Sequence, residues 1–248
     1  MKKILLAILY IIYGINSFAG TTDPDTSDNK YIEYGKKFHS VVKLCCSNTD
    51  GLSCGSAVII YPKWIVTAAH IVEKQDKCSI IINDNKYNID QIFIHNDYKP
   101  NVFGSNDIAL GLISSDIKLE YYPELYSNND ESGKLCSISG WGLTGNFHTG
   151  LNIYDGKRRA GSNFIDHVDN NIIICSPSKK YQKITELEFL ICSGDSGGGL
   201  FIGNKLAGIN SSVMSYDNKP DSTYGDESRH TRISSHRDWI LNIIENNK

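Results

Sequence analysis

The chain has 248 residues, 40% of them hydrophobic and 21% charged, with a formal net charge of −3. This is the composition of a globular protein and excludes a disordered, collagenous or low-complexity chain. The slight acidity argues against nucleic acid or an anionic membrane surface as the main partner.

Taken in chain order, the first nineteen residues stand apart. Lys2 and Lys3 precede an almost unbroken apolar run from Ile4 to Ile15, and Ser17-Phe18-Ala19 puts small residues at the two positions a signal peptidase inspects. Residues 1–19 therefore read as a secretory signal peptide of bacterial type, cleaved near Ala19, with a run too short for a comfortable membrane span. No Cys follows the cut, which argues against a lipid anchor, and losing Lys2 and Lys3 moves the net charge to −5. A secreted or periplasmic location is expected. All seven Cys (Cys45, Cys46, Cys54, Cys78, Cys136, Cys175, Cys192) lie downstream, where an oxidising compartment favours disulfides. Their number is odd, so at least one stays outside any intramolecular bridge. Their spacing lacks the paired C-x2-C blocks of a zinc module, so neither a metal nor a cofactor is expected.

Residues 20–30 are polar and without apolar anchors, which predicts a loose N-terminal arm or pro-segment. From Phe38 onward short β-rich runs follow one another. His39 to Cys46, Cys54 to Tyr61, Lys63 to Ala69, Cys78 to Ile82, Ile89 to Ile94 and Asp107 to Ile113 give about six strands in the first half. After the break at Glu120-Tyr121-Tyr122-Pro123 come Lys134 to Trp141, Asn163 to Val168, Asn171 to Cys175, Gly198 to Ile202 and Lys205 to Asn210. Turn signals at Asn48-Thr49-Asp50-Gly51, Phe103-Gly104-Ser105 and Gly203-Asn204-Lys205 separate the runs, the pattern of all-β barrels or sandwiches. One helix closes the chain: Ser235-His236-Arg237-Asp238 has the form of a capping box, and Trp239, Ile240, Ile243 and Ile244 make an apolar stripe. The predicted architecture is all-β, with two small antiparallel β-barrels, residues 31–120 and 121–248, and a C-terminal α-helix in the second half.

Gly194-Asp195-Ser196-Gly197-Gly198-Gly199 is the most informative stretch. A serine between glycines can sit on a tight turn that exposes its hydroxyl and aims backbone N–H groups at a developing oxyanion. The same letters fit a glycine-rich hairpin or the nucleophile elbow of an α/β-hydrolase, but that fold places its acid and His after the serine. Here the better partners lie before it. Trp64 to His70 ends an apolar strand in an imidazole, and Asp107 stands at the mouth of another, where its carboxylate could hold the histidine's tautomer.

Thr67-Ala68-Ala69-His70, Asp107-Ile108-Ala109-Leu110 and Gly194-Asp195-Ser196-Gly197-Gly198 occur in that order, separated by 37 and 89 residues. Together they resemble the trypsin/chymotrypsin family of serine endopeptidases, as do Gly140-Trp141-Gly142, Gly208-Ile209-Asn210-Ser211 and the closing Trp239 helix. The likeness runs from about residue 32 to the C terminus. It implies two six-stranded antiparallel barrels with the site between them. It further implies Ser196 as nucleophile, His70 as general base and acid, Asp107 as the group orienting the imidazole, and the N–H groups of Gly194 and Ser196 as oxyanion hole. Ser211 would hydrogen-bond Asp107 and border the substrate pocket. His39, His95, His148, His167, His230 and His236 then read as surface or loop residues.

The chain departs from the family in three places. Cys54, Cys136, Cys175 and Cys192 match half-cystines whose partners are replaced, for example by Ile71 and Ile202, so the family's bridges cannot be copied; a bridge from Cys45 or Cys46 to Cys78 is expected instead. Family members ripen by a cut that frees an Ile or Val amine to pair with the aspartate before the nucleophile, here the structural acid Asp195, yet no such sequence is present and Tyr31-Ile32-Glu33-Tyr34-Gly35 is the nearest echo. The pocket floor falls on Leu190, with Ile191 beside it and Val213 on the wall. This predicts cleavage after small to medium uncharged residues, unless Asp217, Asp221, Asp226 or Glu227 reaches in from the insert between Met214 and Ser228. The expected function is a secreted serine endopeptidase whose partners are protein or peptide substrates and protein inhibitors. The alternatives are an esterase using the same serine and a catalytically silent binding protein on the same fold. The sequon-like Asn210-Ser211-Ser212 is read as chance.

Overall fold

The structure, a computed structural model, describes residues 20–100, 105–178 and 184–247. The signal-peptide run and part of the Phe103-Gly104-Ser105 turn lie outside them. β1 (Thr21–Thr22) and α1 (Asp28–Gly35) come first. The first half then contains β2 (Val41–Asn48), β3 (Gly51–Tyr61), β4 (Trp64–Thr67), the one-turn α2 (Ala69–Val72), β5 (Lys77–Ile82), β6 (Asn85–Ile94) and β7 (Ala109–Ile113). The second half contains β8 (Glu124–Leu125), β9 (Leu135–Gly140), β10 (Thr144–Asn146), β11 (Gly150–Ile153), β12 (Arg159–Phe164), β13 (His167–Asp169), β14 (Ile172–Cys175), β15 (Phe189–Leu190), β16 (Gly199–Ile202), β17 (Lys205–Met214), β18 (Glu227–Arg232) and α3 (Ile233–Asn246).

The six strands predicted before Ile113 close into a barrel in the order β2-β3-β4-β7-β6-β5. Ala57 and Ile59 of β3 point into the barrel with Leu44, Ile65 and Ile80, while Val58 and Ile60 face outward into a second cluster with Phe201, Ile209, Ile240 and Ile244. Burial on both faces explains why Ala57-Val58-Ile59-Ile60 is continuously apolar instead of alternating. The outward cluster joins the barrel to the second half and to α3. The second half forms an eight-stranded sheet ordered β12-β9-β16-β17-β18-β14-β13, with β8 paired to β17, and a four-stranded sheet ordered β11-β10-β1-β15.

Cys46 bridges Cys78, one of the expected pairs, and Cys45 bridges Cys54, which was not foreseen. In both cases the two residues are direct cross-strand partners, Cys45 opposite Cys54 and Cys46 opposite Cys78. Cys136, Cys175 and Cys192 stay outside these bridges.

Two sequence expectations are corrected. The segment 20–30 is not a loose arm: Thr21 and Thr22 are buried, paired to Gly145 and Asn146 on one side and to Leu190 and Phe189 on the other. Its hold is backbone pairing and side-chain hydrogen bonds, which need no apolar residues. The capping box at Ser235 also fails, because α3 begins at Ile233, which puts Ser235 inside the first turn, and the N-cap is Arg232 with no side-chain capping bond.

Candidate active site

The end of β4 delivers His70. Thr67 anchors the strand by donating from Oγ1 to Ser56 O at 2.8 Å, and the chain then turns into α2 with the imidazole partly exposed. Asp107 sits just before β7, 4% exposed. Its Oδ1 accepts the His70 backbone N–H at 3.0 Å and its Oδ2 faces His70 Nδ1 at 2.7 Å, while Ser211 Oγ donates to Oδ2 at 2.6 Å. The Asp107 carbonyl accepts from Thr231 Oγ1 at 2.9 Å. Burial alone would push the Asp107 carboxyl up, but its hydrogen bonds to His70 and Ser211 and the imidazole's charge outweigh that and hold it below its ordinary value. An ionised carboxylate only accepts, so Nδ1 carries a proton, and in the neutral imidazole Nε2 is the nitrogen that keeps a lone pair.

Ser196 is partly exposed on a turn pinned to the first barrel. Ser56 N donates to Ser196 O at 2.8 Å, Ser56 Oγ donates to Gly194 O at 2.8 Å, and Trp141 N donates to Ser56 Oγ at 3.0 Å. Among the described residues no hydrogen bond joins Ser196 Oγ to His70, although a Cβ at Gly55 would meet both Ser196 O and the Ile71 side chain at 3.1 Å, which places the serine's backbone beside the helix carrying His70. Such bonds are often long before substrate binds. Gly197 has φ +81°, and a Cβ there would lie 2.1 Å from Ser56 O, so this turn tolerates glycine alone. Neither the N–H of Gly194 nor that of Ser196 bonds another described residue.

Asp195 is fully buried behind the serine. It accepts backbone N–H bonds from Cys192 at 3.1 Å, from Gly142 at 3.2 Å and from Gly20. Burial nevertheless pushes its carboxyl up to about 7.

A cavity of about 230 Å³ opens next to Ser196, lined by Ile191, Ser211, Ser212, Val213, Pro220 and Ser222 among others. No carboxylate or cation lines it among the described residues. Leu190, expected on the floor, is instead fully buried in β15 opposite Thr21 and does not border the cavity. None of the insert's acids lines the cavity: Asp226 accepts from the backbone N–H of the lining residue Ser222, Glu227 pairs with Arg229, Asp217 accepts from Ser215 and Asp221 from Thr223.

Several residues escaped sequence reasoning. Ser56, Thr231 and Gly20 hold the site through hydrogen bonds between distant segments, which no local pattern reveals. His230 and His236 are buried, not superficial. His230 Nδ1 faces Asn210 Oδ1 at 2.9 Å, and Asn210 Nδ2 donates to the carbonyls of Ser139 and Asp195, both at 3.1 Å. This network consumes the amide of the sequon-like Asn210. Tyr31, at the nearest echo of an activation sequence, lies buried in α1.

The trypsin family model matches residues 34–240. The chain belongs to the trypsin family. Among its relatives, kallikrein-11 of Mus musculus is 27% identical over 224 residues, covering 79% of this chain and 75% of that protein. A chymase of Papio hamadryas is 25% identical over 247 residues, covering 86% and 88%. Ovochymase of Halocynthia roretzi is 35% identical over 120 residues, 42% of this chain but 7% of that protein. In fold, HL collagenase aligns with a TM-score of 0.68 at 20% identity, covering 84% of this chain and 94% of that one. The membership carries a chymotrypsin-like all-β fold and the serine-peptidase class.

Proposed function

We propose that this trypsin-family member is an exported serine endopeptidase of bacterial type that hydrolyses peptide bonds through an acyl-enzyme on Ser196. The observation that carries the reading is the Asp107 carboxylate, which receives His70 twice and Ser211 once and so leaves Nε2 as the imidazole nitrogen free for chemistry. In this reading Nε2 takes the Ser196 proton during attack on the scissile carbonyl and returns it to the leaving amine. Asp107 stabilises the imidazolium, and the unengaged N–H groups of Gly194 and Ser196 receive the oxyanion. The cavity beside Ser196 takes the residue before the scissile bond. Its lining offers no counter-charge, and Ser212 Oγ is buried there without a hydrogen-bond partner. Small to medium uncharged side chains are favoured, those with a hydroxyl included, and preferences among them are graded because each methylene contributes only about 1–3 kcal/mol.

A fluorophosphonate should label the chain starting at Gly20 on Ser196, and Ser196→Ala should abolish the label. Labelling that survives Ser196→Ala refutes the assignment, and its absence from folded protein favours a silent binding protein. Digestion of a diverse peptide library should give cuts after Ala, Val, Thr or Leu; predominant cuts after Lys or Arg would mean that an acid of the insert enters the cavity. Ester turnover without any peptide cleavage would favour the esterase.

A further inference from the structure

Two thiols of the second half lie against each other although their strands share no ladder. Cys136 on β9 and Cys175 on β14 are 1% and 0% exposed, and their sulfurs are 3.9 Å apart. In the strand order β12-β9-β16-β17-β18-β14-β13, the strands β16, β17 and β18 separate β9 from β14. The contact therefore marks where the sheet curls back on itself. The first half closes its barrel by continuous backbone pairing, but among the described residues no ladder joins the two ends of this sheet. Side chains span the gap instead. Asn163 of β12 donates from Nδ2 to Ser176 O at 3.2 Å, just beyond β14, and its Oδ1 accepts from Phe189 N at 3.1 Å.

The surroundings of the pair leave it one kind of chemistry. Both thiols belong to the apolar cluster of Ile138, Ile173, Leu200 and Ala207, and among the described residues no group of His, Cys, Asp and Glu could hold a metal there. Cys136 Sγ donates to Asn163 O at 3.2 Å, a weak bond that gives little reason to keep a thiol. Cys192 is engaged elsewhere, donating to Leu143 O at 3.5 Å. A disulfide holds its sulfurs about 2 Å apart, a distance that thiols already in contact approach by turning about their Cα–Cβ bonds.

We propose that Cys136 and Cys175 form a third disulfide, which clasps β9 to β14 and closes the second sheet on itself where backbone pairing does not. The thiolate of one cysteine attacks a disulfide oxidant, glutathione disulfide or an exported thiol oxidoreductase, and expels one of its thiolates. The thiolate of the other cysteine then attacks the mixed disulfide and expels the second. Two electrons pass to the oxidant, and the two thiol protons go to the expelled thiolates. The step belongs to folding, before β14 docks. In the finished fold both sulfurs are shut off from solvent, and burial beside Cys136 pushes the Cys175 thiol well above its ordinary value, so neither an oxidant nor a thiolate is at hand. The two bridges of the first barrel span 9 and 32 residues, whereas this one spans 39 and so removes the most freedom from the unfolded chain. The inference goes beyond the endopeptidase reading and makes no use of it.

The test uses the chain starting at Gly20, either refolded from the reduced, denatured state with a glutathione redox couple or exported into a bacterial periplasm, and verified as folded by near-ultraviolet circular dichroism. The protein is alkylated with iodoacetamide in denaturant without reductant, digested with pepsin at low pH and read by mass spectrometry. Cys136 and Cys175 should be unalkylated and lie in one linked pair of peptides, which separates on reduction with a gain of two hydrogens. Alkylation of both cysteines in folded protein would overturn the inference, as would a link from either to Cys192 or to the first barrel. Cys136→Ala, Cys175→Ala and the double replacement should each lower the melting temperature by a similar several degrees, because each destroys the same bond. A double replacement that costs the sum of the two single ones would mean that the thiols only pack, and would overturn the clasp.

Discussion

At the scale of single residues the site depends on who holds whom. Asp107 accepts three hydrogen bonds, two from His70 and one from Ser211, and no acid other than Asp107 bonds His70 among the described residues. Replacing the carboxylate by an amide keeps the shape and reverses the polarity at Nδ1, so the imidazole adopts the tautomer that cannot take the Ser196 proton. Asp107→Asn should therefore lower turnover by about 10⁴, the loss that the same change causes in the type example of the serine-protease triad, with little change in melting temperature. Turnover within tenfold of the parent would show that His70 is oriented by something else. His70, Asp107 and Ser196 were legible because each ends or begins an apolar strand within a recognisable short motif. Ser56, Thr231 and Asn210 were not, since a serine or asparagine inside a strand carries no signal until its distant partner is known.

At the scale of elements, legibility followed length. The six barrel strands were readable from apolar runs of four or more residues bounded by turn signals, and Asn48 indeed accepts from Asp50 N at 2.8 Å in the β2–β3 turn. β1, β8 and β15 have two residues each, too few to show a period, and exist because neighbouring strands offer open edges. β18 reads Glu-Ser-Arg-His-Thr-Arg, polar throughout, yet Ser228, His230 and Thr231 are buried in a hydrogen-bonded network. The N-terminal elements are fastened by Arg159, whose side chain is 0% exposed and reaches both oxygens of Asp28 on α1 and both of Asp155. The two acids stay partly hydrated, so removing the guanidinium does not strand a fully buried charge. Arg159→Met should cost about 1–3 kcal/mol, a fall of several degrees in melting temperature for a chain of this size. The backbone amides of α1 should lose hydrogen-exchange protection before those of the barrel. Uniform loss of protection would mean that α1 is not a separately fastened element.

At the scale of the whole molecule, two buried groups with opposite pH dependence shape the acid limb of stability. Burial lowers His230 to about 3 between neutral partners, Asn210 Oδ1 and Ser228 Oγ. Its folded-state value lies below the unfolded one, so its contribution is complete above about pH 6.5 and is lost as pH falls toward 3, an effect on the order of a few kcal/mol. Asp195 runs the other way. Burial raises it to about 7 while Gly20 donates only an amide, with the Cys192 thiol and the Arg159 guanidinium as its neighbouring ionisable groups. Its contribution is therefore complete below about pH 4 and is lost as pH rises through 7. The two slopes offset each other between about pH 4 and 6.5, and the melting temperature should change little there. Removing either group leaves the other's slope uncompensated, so Asp195→Asn should lose stability as pH falls across that interval, whereas His230→Asn should lose it as pH rises. Thermal melts of the parent, Asp195→Asn and His230→Asn from pH 3.5 to 7.5 decide the matter: three parallel curves would mean that neither buried group changes its protonation on folding.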